Sequence, residues 1–311
     1  MRNSNAPCVS TLACTALLAG LTAMLTSPMC AAVADDQDDE IQAQKEEAKQ
    51  RKERYTTWMR DFSKGSAVRV TMPGEDEDTE ADLVGNPVFR FHTQEITNGG
   101  TLEIADDGTL WIWTVDSRPV AVQKLEVCNI GGRLWTICFG SVSEGLVTVN
   151  WPGERRYRAM QPGVKYRPIP GAEAPSDKAL TRNAQLKALK SRFTGLLGRF
   201  IADEKGAVEV KPITTPLYQY ADKDSKLPLG AIFSMVNDKA GALNPGLLLI
   251  LEARPDGTGK WRWEYGIVRL GMGQQLVRLD GVEVWRSAAV TTINDQIHDN
   301  WTFYFIKREF E

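Results

Sequence analysis

"PGLLLILEARPDGTGKWRWEYG" (residues 245–266) reads as an apolar strand, a glycine-punctuated turn and a strand alternating aromatic with charged residues. A weaker version, "PVAVQKLEVCNIGGRLWTICFG" (119–140), stands 126 residues earlier. Sliding 119–146 by 126 aligns Pro119/Pro245, Leu125/Leu251, Glu126/Glu252, Gly131/Gly257, Trp135/Trp261, Gly140/Gly266, Val142/Val268 and Gly145/Gly271. Ordinary residue frequencies give roughly two identities over such a window. Eight mark a duplication.

The likeness continues outward with variable spacing. "PVFRF" (87–91) resembles "PLYQY" (216–220), "GTLWIW" (108–113) resembles "GAIFSM" (230–235), and "GVKY" (163–166) resembles "GVEV" (281–284), in the same order. The fold class is α+β, mainly antiparallel β: two copies of a five- to six-stranded meander, about 85–168 and 214–287, joined by one amphipathic helix. That helix is expected at roughly 176–200, with Ser176 as N-cap. Its apolar stripe is Leu186, Leu189, Phe193, Leu196, Leu197 and Phe200.

The duplicated hairpin predicts a register. With turns at "GGRLW" and "GTGKW", Cys128 faces Cys138 as a disulfide, and Arg254 faces Glu264 as an ion pair. Trp135, Ile137 and Phe139 share one face, as do Trp261, Trp263 and Tyr265. "LLLIL" lacks alternation and predicts a strand covered on both faces, whereas "AVQKL" predicts a wetter face in the first copy.

The ends set the organisation. Arg2 is the only charge before Asp35; an apolar run (9–25) precedes Ala32-Val33-Ala34, the pattern of a cleaved signal segment. The expected segments are therefore a signal peptide (1–34), a charged helix with an acidic linker (35–82), a first β repeat (83–170), a linker helix (171–205), and a second repeat with a C-terminal strand (206–311). The helix docks through its last two turns, at Tyr55, Trp58, Met59 and Phe62. "MPGEDEDTEAD" (72–82) reads as a solvated loop. Localisation is expected to be periplasmic or extracellular, with no membrane span after cleavage. Beyond residue 34 there are 36 Lys+Arg against 40 Asp+Glu, a balance that gives no electrostatic basis for nucleic-acid binding.

"GTLWIWTVDSRPVAV", "QPGVKYRPIPGAEAP", "LLLILEARPDG" and "GVEVW" resemble segments of an uncharacterised family of exported bacterial proteins with a duplicated β-rich region. The resemblance covers about 85–290 and implies no activity, ligand or catalytic residue.

No motif names a reaction. His92 and His298 stand apart from other ligand-type residues, so no metal and no cofactor is expected. "GMG" (271–273) lacks the third glycine of a dinucleotide loop and reads as a turn. There is no G-x-S-x-G elbow. The nine tryptophans read mainly as core. The leading expectation is a non-catalytic binding or structural module, with partners unknown and a polysaccharide or a protein as the candidate classes. The alternative is a hydrolase of glycans or similar polymers using Glu126 and Glu252, repeat-related acids that each face a glycine (Gly140, Gly266) in the expected register. Against it stands a scaffold role, each Glu pairing with a nearby base such as Lys124 or Arg262. A third reading, a subunit that adds edge strands to a partner, rests on "WTFYFIK" (301–307), which can pair internally or extend another sheet.

Overall fold

The computed structural model describes residues 29–92, 105–129, 133–198, 207–221, 227–237, 244–290 and 296–306. The signal segment expected at 1–34 lies outside them up to residue 28. In chain order the elements are α1 (Met29–Lys64), β1 (Ala67–Thr71), β2 (Thr79–Leu83), β3 (Phe89–Phe91), β4 (Ala105–Val115), β5 (Arg118–Asn129) and β6 (Arg133–Ser141). Next come β7 (Leu146–Asn150), β8 (Arg156–Arg158), β9 (Arg167–Pro168), α2 (Ala179–Lys190), β10 (Phe193–Gly198), β11 (Val208–Pro212), β12 (Tyr218–Ala221) and β13 (Pro228–Val236). The last are β14 (Leu247–Pro255), β15 (Trp261–Arg269), β16 (Gln274–Leu279), β17 (Val282–Ser287), β18 (Gln296–Ile297) and β19 (Trp301–Ile306).

The chain divides into two units at Gln50/Arg51. In the first, the described part of α1 is charged and exposed from Asp39 onward, with Lys49 3.8 Å from Glu46. No described helix is long and apolar enough to cross a membrane.

The second unit holds two antiparallel sheets. Their strand orders are β18-β19-β6-β5-β4-β2-β1-β7-β8 and β17-β16-β10-β11-β13-β14-β15-β9, with β3 on β4 and β12 on β13. The order β8-β7-β1-β2-β4-β5-β6 is repeated by β17-β16-β10-β11-β13-β14-β15. The duplicated unit is therefore a helix followed by eight strands, longer than the meander legible in the sequence. Its bonds repeat too. Val84 N–H to Ile112 O (2.9 Å) and Val88 N–H to Leu110 O (2.8 Å) recur as Ile213 N–H to Ser234 O (2.9 Å) and Leu217 N–H to Ile232 O (2.8 Å). The helix expected as a linker is the first element of the second copy. Its buried residues Arg182, Leu186, Leu189 and Lys190 match Tyr55, Met59, Phe62 and Ser63 of α1 at one spacing of 127.

Several expectations are corrected. α2 ends at Lys190, and Phe193–Gly198 is strand, because Phe193, Gly195 and Leu197 also alternate and Gly195 lies where a Cβ would stand 2.9 Å from the Leu276 carbonyl. Lys178, not Ser176, occupies the N-cap position. The acidic stretch turns at 72–78 and then forms β2, paired with β1. Trp135 is fully buried but Trp261 is 42% exposed; Trp263, 1% exposed, takes the equivalent place. The loops explain the shift. Asn129 faces Arg133, leaving three residues between, whereas Pro255 faces Trp261, leaving five. The extra two residues close through Asp256, whose Oδ1 accepts the Thr258 N–H (2.8 Å) and hydroxyl (2.7 Å).

The same count removes the disulfide. Cys128 pairs with Leu134 and Cys138 with Lys124, so the cysteines sit four rungs apart, about 13 Å along the ladder. Both are buried and neither is in a disulfide. Arg254 faces Arg262 rather than Glu264, yet its Nε reaches Glu264 on the diagonal at 3.2 Å.

Each sheet wraps its own core. The first encloses Trp111, Trp113, Leu125 and Trp135 with the end of α1; the second encloses Phe233, Leu249, Leu251 and Trp263 with α2. The opposite faces pack together through Ile112, Val122, Cys138, Ile232, Ile250 and Val268. β14 is therefore covered on both faces, as "LLLIL" predicts: Leu247, Leu249 and Leu251 turn to the inner core, Leu248 and Ile250 to the layer between sheets. β5 is equally buried, contrary to the wetter face expected of "AVQKL". Gln123 bonds Ser63 (3.2 Å) and Trp151 (2.6 Å), and Lys124 bonds Asn244 (2.9 Å).

In each copy an aromatic ring lies on a glycine of the neighbouring strand. A Cβ on Gly108 would stand 2.3 Å from the Phe91 ring, and one on Gly230 would stand 2.4 Å from the Tyr220 hydroxyl. Gly108→Ala is expected to cost about 1–3 kcal/mol by overpacking and under about 0.5 kcal/mol in a Phe91→Ala background, measured by urea unfolding. Equal cost in both backgrounds refutes the contact. Alkylation with peptide mapping should leave Cys128 and Cys138 unmodified in the native chain and label both, without reductant, in denaturant; a requirement for reductant would restore the disulfide.

Candidate functional site

β5 and β14 carry the repeat-related acids into the layer between the sheets. Glu126 faces Gly108 and Thr136 on its neighbouring strands; Glu252 faces Gly230 and Glu264. Each acid thus has a glycine beside it, though the glycine is on the preceding strand rather than Gly140 or Gly266. Both side chains are fully buried.

Their partners differ. The Glu252 carboxylate accepts from the Tyr220 hydroxyl (2.6 Å), the Tyr166 hydroxyl (3.1 Å), Arg254 (3.1 Å) and Arg118. Arg254 ties this acid to Glu264 and, through Nη2, to Glu144 at 2.5 Å, while its guanidinium stacks over the Tyr166 ring at 4.2 Å. Glu126 accepts from the Asn244 amide at 2.8 Å and lies 3.4 Å from Lys124 Nζ. Arg262, the neighbour expected for Glu252, bonds Glu264 instead, at 2.7 Å.

These contacts are reciprocal. Arg118 of the first copy reaches Glu252 of the second, and Asn244, the residue 126 positions after Arg118, reaches Glu126 of the first. β5 and β14 therefore run antiparallel across the layer. The two carboxylates sit near opposite ends of β14, which advances about 16 Å from Leu247 to Glu252 alone. That separation exceeds the ~10 Å span of paired-carboxylate hydrolases. Every oxygen of Glu252 is occupied by donors within the fold.

Burial raises the Tyr166 and Tyr220 hydroxyls well above the usual phenol range, with Glu252 adding to the effect at both. For Arg118 and Arg254 burial is the largest single influence and works against the charge, but attraction to Glu252, joined by Tyr166 and Tyr220 at Arg118 and by Glu144 and Tyr166 at Arg254, together outweighs it, and both titrate above their ordinary value.

A second locus lies where the ends of the second sheet approach one another. Arg167 of β9 donates to the Val284 carbonyl of β17 at 2.7 Å. Beside this bridge a cavity of about 370 Å³ opens between the β15 edge, β17 and residues 161–167. Lys165, Arg167, Arg269 and Arg286 line it, with Tyr265, Trp285 and Trp301 as rings and no carboxylate in the wall. Its volume falls within the range of ligand clefts, about 300–1,000 Å³. Arg286 is held by Glu283 at 2.7 Å. Arg269 is different. Its five donors go to the carbonyls of Gly271, Met272, Gly273 and Ala288 and to the Ser287 hydroxyl, and it lies over Trp301 at 4.7 Å. Burial brings it down to about 10. "GMG", read as a turn, is the carbonyl cradle of this cation.

His92 follows β3 and is exposed, while His298 stacks on Trp301 at 4.3 Å. "WTFYFI" pairs internally with β6 from Trp135 to Gly140, the first of the two pairings its sequence allows. Sequence reasoning missed the cleft because its wall comes from four separate segments (161–167, 265–269, 284–287 and 300–301). The one visible trace is the alternation of Lys165 with Arg167. No protein-family model, curated protein or solved structure matches the chain.

The tyrosines give a pH test. A phenol whose native pKa is raised contributes stability that is complete below its unfolded value near 10 and is lost as pH rises above it. Spectrophotometric titration should show Tyr166 and Tyr220 ionising only with unfolding. Above pH 10 each should steepen the loss of stability by about 1.4 kcal/mol per pH unit. Tyr220→Phe should remove one such contribution, and native-state ionisation of all tyrosines near pH 10 would contradict the burial.

Proposed function

We propose that this protein is an exported, non-catalytic binding module that takes an anionic partner into the cleft between β15 and β17. The observation that carries the reading is the wall itself: four cations and three rings, with no carboxylate among its lining residues. Such a surface attracts negative charge and offers stacking faces, but supplies no general base. The two buried acids support the same reading from the other side. Glu252 is consumed by its four donors, and Glu126 is held by Asn244 of the other copy and lies beside Lys124. Export rests on the apolar run and Ala32-Val33-Ala34 at the start of the chain.

Tryptophan emission tests the reading, because Trp285 and Trp301 border the cleft. Polygalacturonate and poly-L-glutamate should each shift the emission of the full chain, with affinity falling steeply as salt rises. Lys165→Glu combined with Arg167→Glu should abolish the response. Failure of both polyanions to bind overturns the proposal. So does turnover of a glycan panel that disappears in Glu126→Gln and Glu252→Gln variants with unchanged melting.

A further inference from the structure

The two copies differ most where the cleft lies. In the first copy, β19 pairs with β6 along Trp135–Gly140, and Tyr157 of β8 donates its hydroxyl to the His298 carbonyl at 3.0 Å, so the C-terminal hairpin fills the gap between the sheet's ends. The matched ladders place Trp135, Phe139 and Gly140 at Trp263, Ile267 and Val268 of the second copy, and Tyr157 at Trp285. The wall residues Ile267 and Trp285 are thus the counterparts of Phe139 and Tyr157, which border the gap that β18 and β19 fill. In the second copy β9 pairs only with Glu264 and Tyr265. Three further rungs, Gly266 to Val268, have no strand beside them among the described residues, a length of about 10 Å.

The direction of the free edge follows from its neighbours. Leu270 N–H bonds inward to Gly246 O at 2.8 Å, and Ile169 N–H bonds Trp263 O from outside at 3.0 Å. By alternation, the backbone N–H and C=O of Ile267 point outward into the cleft. An edge with outward-facing amide groups is a template for another extended chain. The surrounding Lys165 and Arg167 select its charge.

We propose that the second copy's cleft accepts an extended acidic peptide, which adds a strand to β15 at Ile267 as β19 adds one to β6. The peptide's backbone bonds the edge, and its carboxylates meet the cations of the wall. Strand addition gives affinity through main-chain hydrogen bonds and specificity through alternate side chains. The proposal rests on the binding reading above and narrows its ligand from any polyanion to a peptide.

The test is titration of an end-blocked octapeptide alternating valine with glutamate into the full chain, with amide hydrogen exchange followed at Ile267. Binding with at least tenfold slower exchange at that amide is expected, and N-methylation of alternate peptide amides should weaken binding at least tenfold. Equal binding of the N-methylated peptide overturns strand addition, as does binding without protection at Ile267. If the peptide fails while polygalacturonate still binds, the anionic cleft stands and the peptide proposal falls; if neither binds, both fall.

Discussion

A carboxylate with no solvent exposure, on a strand covered on both faces, sets the terms for the rest of this molecule. Glu252 cannot be left bare in the layer between the sheets, because an unpaired buried charge costs several kcal/mol. Its compensation comes from four directions: Tyr220 on β12, Tyr166 after the first copy, Arg118 at the start of β5 and Arg254 on its own strand. Those donors belong to both copies, so satisfying one acid fixes how the two sheets are set against each other. An apolar layer alone tolerates sliding; this contact does not. Removal of Glu252 would leave the two phenols without their acceptor and Arg254 with only Glu144 and Glu264, at a cost of about 3–5 kcal/mol for a broken buried pair, reduced for Arg118 because that side chain is 43% exposed.

The reciprocal contact at Glu126 is weaker chemistry in the same place. An amide from Asn244 stands where the other copy uses a guanidinium, and Lys124 supplies the positive charge from the same strand. Two copies of one fold have kept the acid and changed its counter-charge. The aromatic over glycine beside each acid has changed likewise, from Phe91 to Tyr220, and only the tyrosine contributes a hydrogen bond. The second copy is the more fully bonded half of the interface.

The duplication was legible in the sequence where strand pairs keep one spacing, and hidden where loops change it. β5 and β14 are related by 126 residues, and the alignment of Glu126 with Glu252 survives intact. The loop that follows is two residues longer in the second copy, so β6 and β15 are related by 128. That small drift moved Trp261 out of the core, broke the expected Cys128–Cys138 opposition and assigned Trp135 the wrong partner. The helix and the first hairpin of each copy share too few residue types to align, yet bury the same positions, Tyr55 against Arg182 and Ser63 against Lys190. Burial pattern outlasts identity here because each sheet needs a helix on its inner face whatever residues supply it. Beyond the alternation of Lys165 with Arg167 the cleft was not legible: its residues meet only after the second sheet curls, and no local spacing encodes that closure.

Broken symmetry is where such a duplicated fold can acquire a role. Both copies curl until their terminal strands approach, and both then face an unfilled seam with strand edges exposed. The first solves it from within its own chain, where Trp301 and Phe303 pack into the layer between sheets and Tyr304 packs edge-on against Trp151 at 5.3 Å. The second receives the two-residue β9, the bridge from Arg167 to Val284 and the bonds of Arg269 to Ser287 and Ala288. Leaving an edge open is a liability unless something manages it, and charge is one of the standard ways. Lys165, Arg167 and the caged Arg269 discourage neutral or basic strands from pairing with β15, and by the same field they favour an acidic one. On the proposed binding role, the protection of the edge and the selectivity of the cleft are one electrostatic property of the open seam of the second copy.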